Sequence, residues 1–306
     1  MKYIDLHTHT NCSDAVVSPA HSLEAAEALG LSIFSVSDHN TVAAYSEIAD
    51  SRSLFSGAIL PAVELSTTFN GDVIEILGYG IDTAEMSDLI SQRYPTFYDK
   101  QVREARLDTE AMLAAGVALD SGFVRAMCEE PWTIFDPSHN TNRPHLLREI
   151  KRHAENARFF ADENEFRTIG EGKFTRNYLF NAQSRLYSDQ SPLVPDLYAV
   201  LDMIKNCGGL AFLAHPFVYS KNVISSLDEL ATVGIDGMEC FYGTFTGEQK
   251  RFMYDFCEQK GLYKSGGSDY HGVKMRPQNV LGHSNGEMIP FSLIEEWYGK
   301  VEGNTI

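Results

Sequence analysis

Short apolar runs alternating with helix-period segments recur on both sides of the chain's middle. This alternation limits the possible folds more than any other feature. Lys-Tyr-Ile-Asp-Leu-His-Thr-His over 2–9 reads as a strand. Ser18-Pro19 then offers a helix cap with proline at the first helical position, Leu23, Ala26 and Leu29 continue at helical spacing, and Gly30 closes the helix. A second strand over 31–37 runs into Asp38-His39-Asn40, and a helix is expected over 42–50. Third and fourth strands are expected at 58–64 and 72–78. After Pro195 the alternation resumes: a helix over 196–206, a strand over 210–214 ending on His215-Pro216, a strand over 235–240, a helix over 246–260 before Gly261, and a strand over 263–266. Seven strands joined through helices predict an α/β fold with a parallel sheet and right-handed crossovers.

Between about 85 and 195 the strand signal fades. Residues 98–115 read as a helix, with Val102, Ala105, Leu107, Met112 and Leu113 as its apolar positions, and further helices are expected near 121–130 and 144–157. The chain is therefore divided into a strand–helix domain over 1–84 and 195–306 and a mostly helical insertion domain over 85–194.

Composition excludes several classes. With 43% hydrophobic and 22% charged residues among 306, the chain can bury a sizeable core. A net charge of −17 argues against broad adhesion to duplex nucleic acid or an anionic membrane. No run approaches the roughly 18 apolar residues of a membrane span, and no secretory signal is read at the start. The five cysteines are odd in number, widely spaced and without a CxxC pair, so a reducing cytoplasm is the expected location. Cys12 reads as a small filler residue on a loop.

The chemistry lies in the histidines. Six of ten fall where a strand ends or a turn begins: His7, His9, His39, His145, His215 and His271. Asp5, Asp14, Asp38, Glu64 and Asp269 lie close to several of them. In a strand, His-x-His points both rings to one face, so both imidazoles can bind one ion, and Asp5 on that face can orient a ring. In a closed α/β barrel the carboxyl ends of the strands share one face, where active sites gather. A set of imidazoles and carboxylates favours Mn, then Fe or Zn, over a thiolate or all-oxygen site.

Asp5-Leu-His7-Thr-His9 with Asp14, Ser37-Asp38-His39-Asn40-Thr41-Val42, Val63-Glu64-Leu65-Ser66, Arg143-Pro144-His145, Ala214-His215-Pro216 and Gly267-Ser268-Asp269-Tyr270-His271 together resemble the PHP (polymerase and histidinol phosphatase) superfamily. The order matches and the motifs span almost the whole chain. The resemblance implies a distorted seven-stranded (β/α)7 barrel with three divalent metal ions at its carboxyl end. It implies His7, His9, Glu64 and Asp269 for the first ion, Glu64, His145 and His215 for the second, and Asp14, His39 and His271 for the third. The insertion resembles that of stand-alone members acting on nucleotides.

The expected activity is hydrolysis of a phosphate monoester by attack of a metal-bridging hydroxide. Asp269 or His271 is expected to carry protons, and Arg143, Lys274 and Arg276 to contact phosphate. The expected substrate is a nucleoside 3′,5′-bisphosphate or a short 5′-phosphorylated oligonucleotide. Phe97, Tyr98, Trp132, Phe135 and Tyr178 are available to stack on a base or to form the insertion's core. Competing readings are a histidinol-phosphate phosphatase, a non-catalytic metal-stabilised module, and a hydrolase of C–N or C–O bonds. The last lacks an obvious lysine in the bridging place taken by Glu64.

Overall fold

A computed structural model describes residues 2–130, 142–219 and 221–306. The chain forms two compact units. The first comprises Met1–Thr67, Ile74–Gln92 and Leu197–Ile306, and the second Thr68–Val73 and Arg93–Asp196.

In the first unit, β1 (Ile4–Asp5), β2 (Ile33–Phe34) and β3 (Ala58–Ile59) form a parallel sheet, with Ile4 opposite Ile33 and Ile33 opposite Ala58. A five-stranded sheet follows in the order β4 (Ala62–Phe69), β5 (Asp72–Tyr79), β6 (Leu210–Leu213), β7 (Gly237–Tyr242) and β8 (Tyr263–Gly267). A small antiparallel pair, β9 (His283–Ser284) and β10 (Glu287–Met288), completes the strands.

The fold is mixed α/β, with two departures from the expected seven parallel strands. β5 and β6 are antiparallel, from Ile76 opposite Leu213 to Tyr79 opposite Leu210. The cause lies in Asn70-Gly71, whose φ angles are 50° and 86°. Two adjacent left-handed residues make a tight hairpin turn, so the chain doubles back between β4 and β5 instead of crossing over. The strand expected over 58–64 is also split, because Pro61 has no N–H to give a ladder. The described strands therefore lie in three sheets and not in one closed ladder. Single backbone bonds still connect separate sheets, with Leu6 N–H donating to Gly266 O (3.2 Å) and Asn40 N–H to Glu64 O (2.8 Å).

Helix boundaries follow the local signals. Ser18 caps Pro19–Ala28 by accepting from His21 N–H. Thr246 and Gln249 form a reciprocal capping box on Gly247–Lys260, which Gly261 closes at φ 68°. The core gathers Ile4, Leu6, Leu77, Phe212 and Ile289 around a fully buried Trp297. The Trp297 ring lies 4.9 Å from Phe212 and 5.6 Å from Tyr79, and its indole N–H donates to Lys264 O at 2.8 Å.

The second unit is mostly helical and packs Met112, Leu146, Ile150, Phe160, Phe174 and Leu179 in its core. Its helix Phe97–Ala114 buries Gln101, Glu104, Ala105, Asp108, Thr109 and Met112, a stripe at helical spacing that is largely polar. Of the apolar positions expected to face inward, only Ala105 and Met112 are buried, and Leu113 is exposed. Arg143 explains the reversal. Its guanidinium is buried and lies 3.0 Å from Glu104 and 2.8 Å from Asp108.

Candidate metal centre

His7 and His9 follow β1 in an extended segment. Asp269 N–H donates to His7 O (2.7 Å), His9 N–H to Tyr270 O (2.9 Å) and Ser37 N–H to Thr8 O (2.8 Å). Held on both sides, the segment keeps its two-residue alternation. Thr8 donates its hydroxyl to Ser35 O at 2.7 Å, while His7 Nε2 and His9 Nε2 lie 3.1 Å apart. Gly267 is required for this approach, because a Cβ there would stand 2.2 Å from His7 Cβ. Two further members of the cluster sit at positive φ, His215 at 26° and Asp269 at 54°. Such backbone is uncommon outside glycine, and it occurs here where side chains must converge.

The donors form overlapping groups. Glu64 Oε2 lies 3.3 Å from both His7 Nε2 and His9 Nε2, and Asp269 Oδ1 lies 3.2 Å from His9 Nε2 and 3.6 Å from His7 Nε2. Glu64 Oε1 lies 3.0 Å from His215 Nε2. Asp14 Oδ1 is 3.1 Å from His271 Nε2 and 3.7 Å from His9 Nδ1, and Asp14 Oδ2 is 3.7 Å from His39 Nε2. Within each of the sets His7–His9–Asp269, His7–Glu64–His215 and His9–Asp14–His39–His271, the donor atoms lie within 4.8 Å of one another. Glu64 belongs to one of these sets and touches a histidine of the other two, with Oε2 3.3 Å from His9 and 3.1 Å from His39 Nδ1, on the side of β4 that faces His39 across a parallel bridge.

The electrostatics fit a cation. Burial opposes charge on His7, yet Glu64 and Glu239 raise its pKa well above the ordinary value. Burial also opposes charge on His9, but the Asp269 and Glu64 carboxylates beside it raise it to about 10. Burial likewise opposes ionisation of Glu64, Asp14 and Asp269, and the surrounding imidazoles, with Arg276 at Asp269, hold all three below the usual carboxylate range. Fully buried Glu64 Oε2, His9 Nδ1 and His271 Nε2 make no hydrogen bond among the described residues. Buried polar atoms normally find partners. Divalent ions held by these donors would satisfy them, and binding would release the protons that the imidazoles otherwise carry.

Several supporting groups were not legible in the sequence. Glu239, buried on β7, accepts from His7 Nδ1–H (3.1 Å) and from His215 N–H (2.8 Å), fixing one ring's tautomer and another ligand's backbone. Tyr242 donates to Asp269 Oδ2 at 2.7 Å. Glu75 reaches toward His39 and His215. The only early signal for Glu239 was a carboxylate inside an apolar strand, Ile235-Asp-Gly-Met-Glu-Cys240.

The remaining expected residues are placed as follows. Asp5 accepts from Ser268 N–H (2.9 Å), Ser268 Oγ–H (2.6 Å) and Gly282 N–H (2.7 Å), and it ties β1 to the loops after β8 without facing the imidazoles. Burial pushes its pKa up to about 6. Asp38 accepts from Thr10 N–H (2.7 Å) and Thr10 Oγ–H (2.6 Å), bracing the turn before Asp14. Arg276 pairs with Asp269 Oδ2 at the rim, and Lys274 is exposed. Cys12 is a half-buried free thiol. Arg143 and His145 belong to the second unit, on helix Arg143–Arg152. There Arg143 is engaged by Glu104, Asp108 and Gln190, with Phe180 stacked 4.5 Å away. Tyr178 packs against Phe160 and Phe174 in that unit's core, and Tyr98 is exposed. Phe97 opens its helix, and Trp132 and Phe135 lie outside the described residues.

No family model matches the chain. It is similar to a 3′,5′-nucleoside bisphosphate phosphatase of Chromobacterium violaceum, with 26% identity over 93% of this chain and 92% of the relative. A 5′-3′ exoribonuclease of Haemophilus influenzae is 25% identical over 88% of this chain and 90% of the relative. Among solved structures, an amidohydrolase from Chromobacterium violaceum with bound sulfate and no metal superposes with a TM-score of 0.64 at 23% identity, over 99% of this chain and 97% of the other. That likeness concerns the fold. Ordered motifs, convergent donors and full-length relatives named as phosphatase and exoribonuclease agree with the resemblance to PHP-superfamily phosphoesterases, and the chain is a hydrolase.

Proposed function

We propose that this enzyme hydrolyses a phosphate monoester of a small nucleotide, either a nucleoside 3′,5′-bisphosphate or a short 5′-phosphorylated oligonucleotide. The carrying observation is the set of overlapping imidazole–carboxylate groups around Glu64, in a chain whose full-length relatives are named for nucleotide and oligonucleotide chemistry. Three divalent ions, Mn before Fe or Zn, fit this donor set. When bound, such ions lower the pKa of water and offset charge on the phosphoryl oxygens.

The chain's own groups set the rest. Tyr242 and Arg276 occupy Asp269 Oδ2, which leaves Oδ1 toward His7 and His9. Oδ1 is thus the atom at which Asp269 would ligate or exchange a proton with the reacting water. His271 Nδ1–H donates to Asp269 O at 2.9 Å, which keeps the Nε2 lone pair directed at Asp14 and the third position. Proton transfer through His271 would have to use that same Nε2. Arg276 stays cationic beside Asp269 and Asp14 and remains one-third exposed, so it can also meet a phosphate. Lys274 is the second proposed phosphate contact from the same loop. Arg143 would have to leave its carboxylate partners to act as one.

A panel of adenosine 3′,5′-bisphosphate, AMP, a 5′-phosphorylated dinucleotide and histidinol phosphate, with Mn present, tests the reading. The bisphosphate or the dinucleotide is expected to give the highest kcat/KM. A clear preference for histidinol phosphate would overturn the nucleotide assignment. No turnover on any phosphate ester by a metal-loaded sample would favour a non-catalytic module. Among the described residues no helix is long and apolar enough to cross a membrane.

A further inference from the structure

We propose that Cys240 and Cys257 are a redox pair, and that the disulfide they form weakens metal binding by moving Glu239. The second half rests on the metal-dependent reading above. Both thiols are fully buried, and Cys240 Sγ lies 3.6 Å from Cys257 Sγ. Cys240 belongs to β7, and Cys257 to the last turn of helix Gly247–Lys260. The place of Cys240 in β7 singles out the pair. Glu239 is opposite Ser265 and Phe241 is opposite Gly266, so Cys240 is one extra residue against β8. Such a bulge re-aims neighbouring side chains and leaves its own residue outside the ladder. Two consecutive residues thereby take different tasks. Glu239 accepts from His7 Nδ1–H at 3.1 Å and from His215 N–H at 2.8 Å, while Cys240 meets the helix.

A disulfide needs the two sulfurs about 1.5 Å closer than they stand. The bulge takes up this approach, because Cys240 is not held by a partner residue across the ladder. Glu239 shares a peptide bond with Cys240 and is carried with it, away from His7 Nδ1 and His215 N–H. The oxidant is a peroxide. The Cys257 sulfur attacks one peroxide oxygen, the O–O bond breaks, and a sulfenic acid and one water result. The Cys240 sulfur then attacks the sulfenic sulfur, the S–S bond forms, and a second water leaves. Two thiols give up two electrons and two protons, and hydrogen peroxide becomes two waters. Access comes from the helix end, since terminal turns open locally at little cost. Burial and the adjacent thiol push the Cys240 pKa well above its ordinary value, so the pair stays reduced until that turn opens.

Reduced, Mn-loaded full-length wild type and Cys257→Ala would be treated with hydrogen peroxide, quenched with catalase and desalted. Intact mass and non-reducing peptide mapping would read the link, titration calorimetry the Mn affinity, and circular dichroism the fold. Wild type is expected to lose the mass of two hydrogens and to yield a Cys240 peptide joined to a Cys257 peptide. It should then bind Mn more weakly by roughly tenfold or more. Dithiothreitol should reverse all of these changes. Cys257→Ala should keep its Mn affinity through the treatment. Half-buried Cys12 gauges the dose. No joined peptides once Cys12 is oxidised would overturn the pair. Joined peptides with unchanged Mn affinity would overturn the control through Glu239, as would an equal loss of affinity in Cys257→Ala. A wild type that binds no Mn, Fe or Zn would overturn the functional reading, and the peptide map would still decide the pair. Should Cys257→Ala fail to fold, the wild type decides: a lost affinity that dithiothreitol does not restore overturns the proposal.

Discussion

In the second unit, buried Glu104 and Asp108 face a buried guanidinium. Arg143 lies 3.0 Å from one and 2.8 Å from the other, and Gln190 donates to Asp108 at 3.0 Å. In the first unit, Glu64, Asp14 and Asp269 face five histidines, and Arg276 reaches the group only at its rim. The first arrangement answers its own carboxylates, with a permanent cation and an amide. The second leaves buried atoms without hydrogen bonds, and its histidines acquire charge only by taking protons. A folded core gains nothing from such a set by itself, because burying charge costs several kcal/mol per ion unless it is well paired. The first unit is therefore arranged to receive cations, and the second to hold its own helices together.

The largest expected effect tests the first half of that contrast. His7→Ala with His9→Ala removes two donors from the corner shared with Glu64. Bound metal and phosphatase rate should fall together, the rate by roughly 10³-fold. Near-wild-type activity in the double variant would break the cluster assignment.

Arg143→Ala tests the second half. It leaves Glu104 and Asp108 buried without their guanidinium, and it should destabilise the second unit by about 3–5 kcal/mol in urea unfolding. Metal per chain should not change. If stability held while KM for a phosphate ester rose tenfold or more, Arg143 would be a substrate clamp and the contrast would fail.

Glu239→Gln should act more mildly, because the amide still accepts from His7 Nδ1–H. Loss of an outer hydrogen-bonding carboxylate typically costs 10–100-fold in metal affinity. Calorimetric Mn titration would show it, and unchanged affinity would make Glu239 a packing residue only.

The two units also differ in how much could be read from their sequence. The candidate donors of the first unit lie in short motifs at strand ends, so His7, His9, His39, His215 and His271 stood out as a pattern, while their assignment to particular ions came from the resemblance. Glu239 did not stand out, since its meaning comes from a histidine 232 residues away. Glu75 was hidden by the same hairpin that hid the antiparallel β5–β6 pair. Asn70-Gly71 is a strong turn dipeptide, but the alternation around it suggested another crossover. In the second unit, a search for apolar spacing could not find a helix face buried through Glu104, Asp108 and Thr109. Hydrophobic periodicity marks only the faces that bury carbon, and this one buries an ion-pair network.

The smallest expected effect concerns the loop after β8, where the two proposed phosphate contacts differ in what already holds them. Arg276 is paired with Asp269, while Lys274 is exposed. An exposed ammonium at the rim acts through a screened field, so Lys274→Ala should change stability by less than about 0.5 kcal/mol. It should lower kcat/KM by about threefold or less at low ionic strength, and the difference should vanish in about 0.5 M salt. A loss that persists in salt would mean that Lys274 makes a desolvated contact with the bound phosphate. The first unit would then complete its charge balance with substrate as well as with metal.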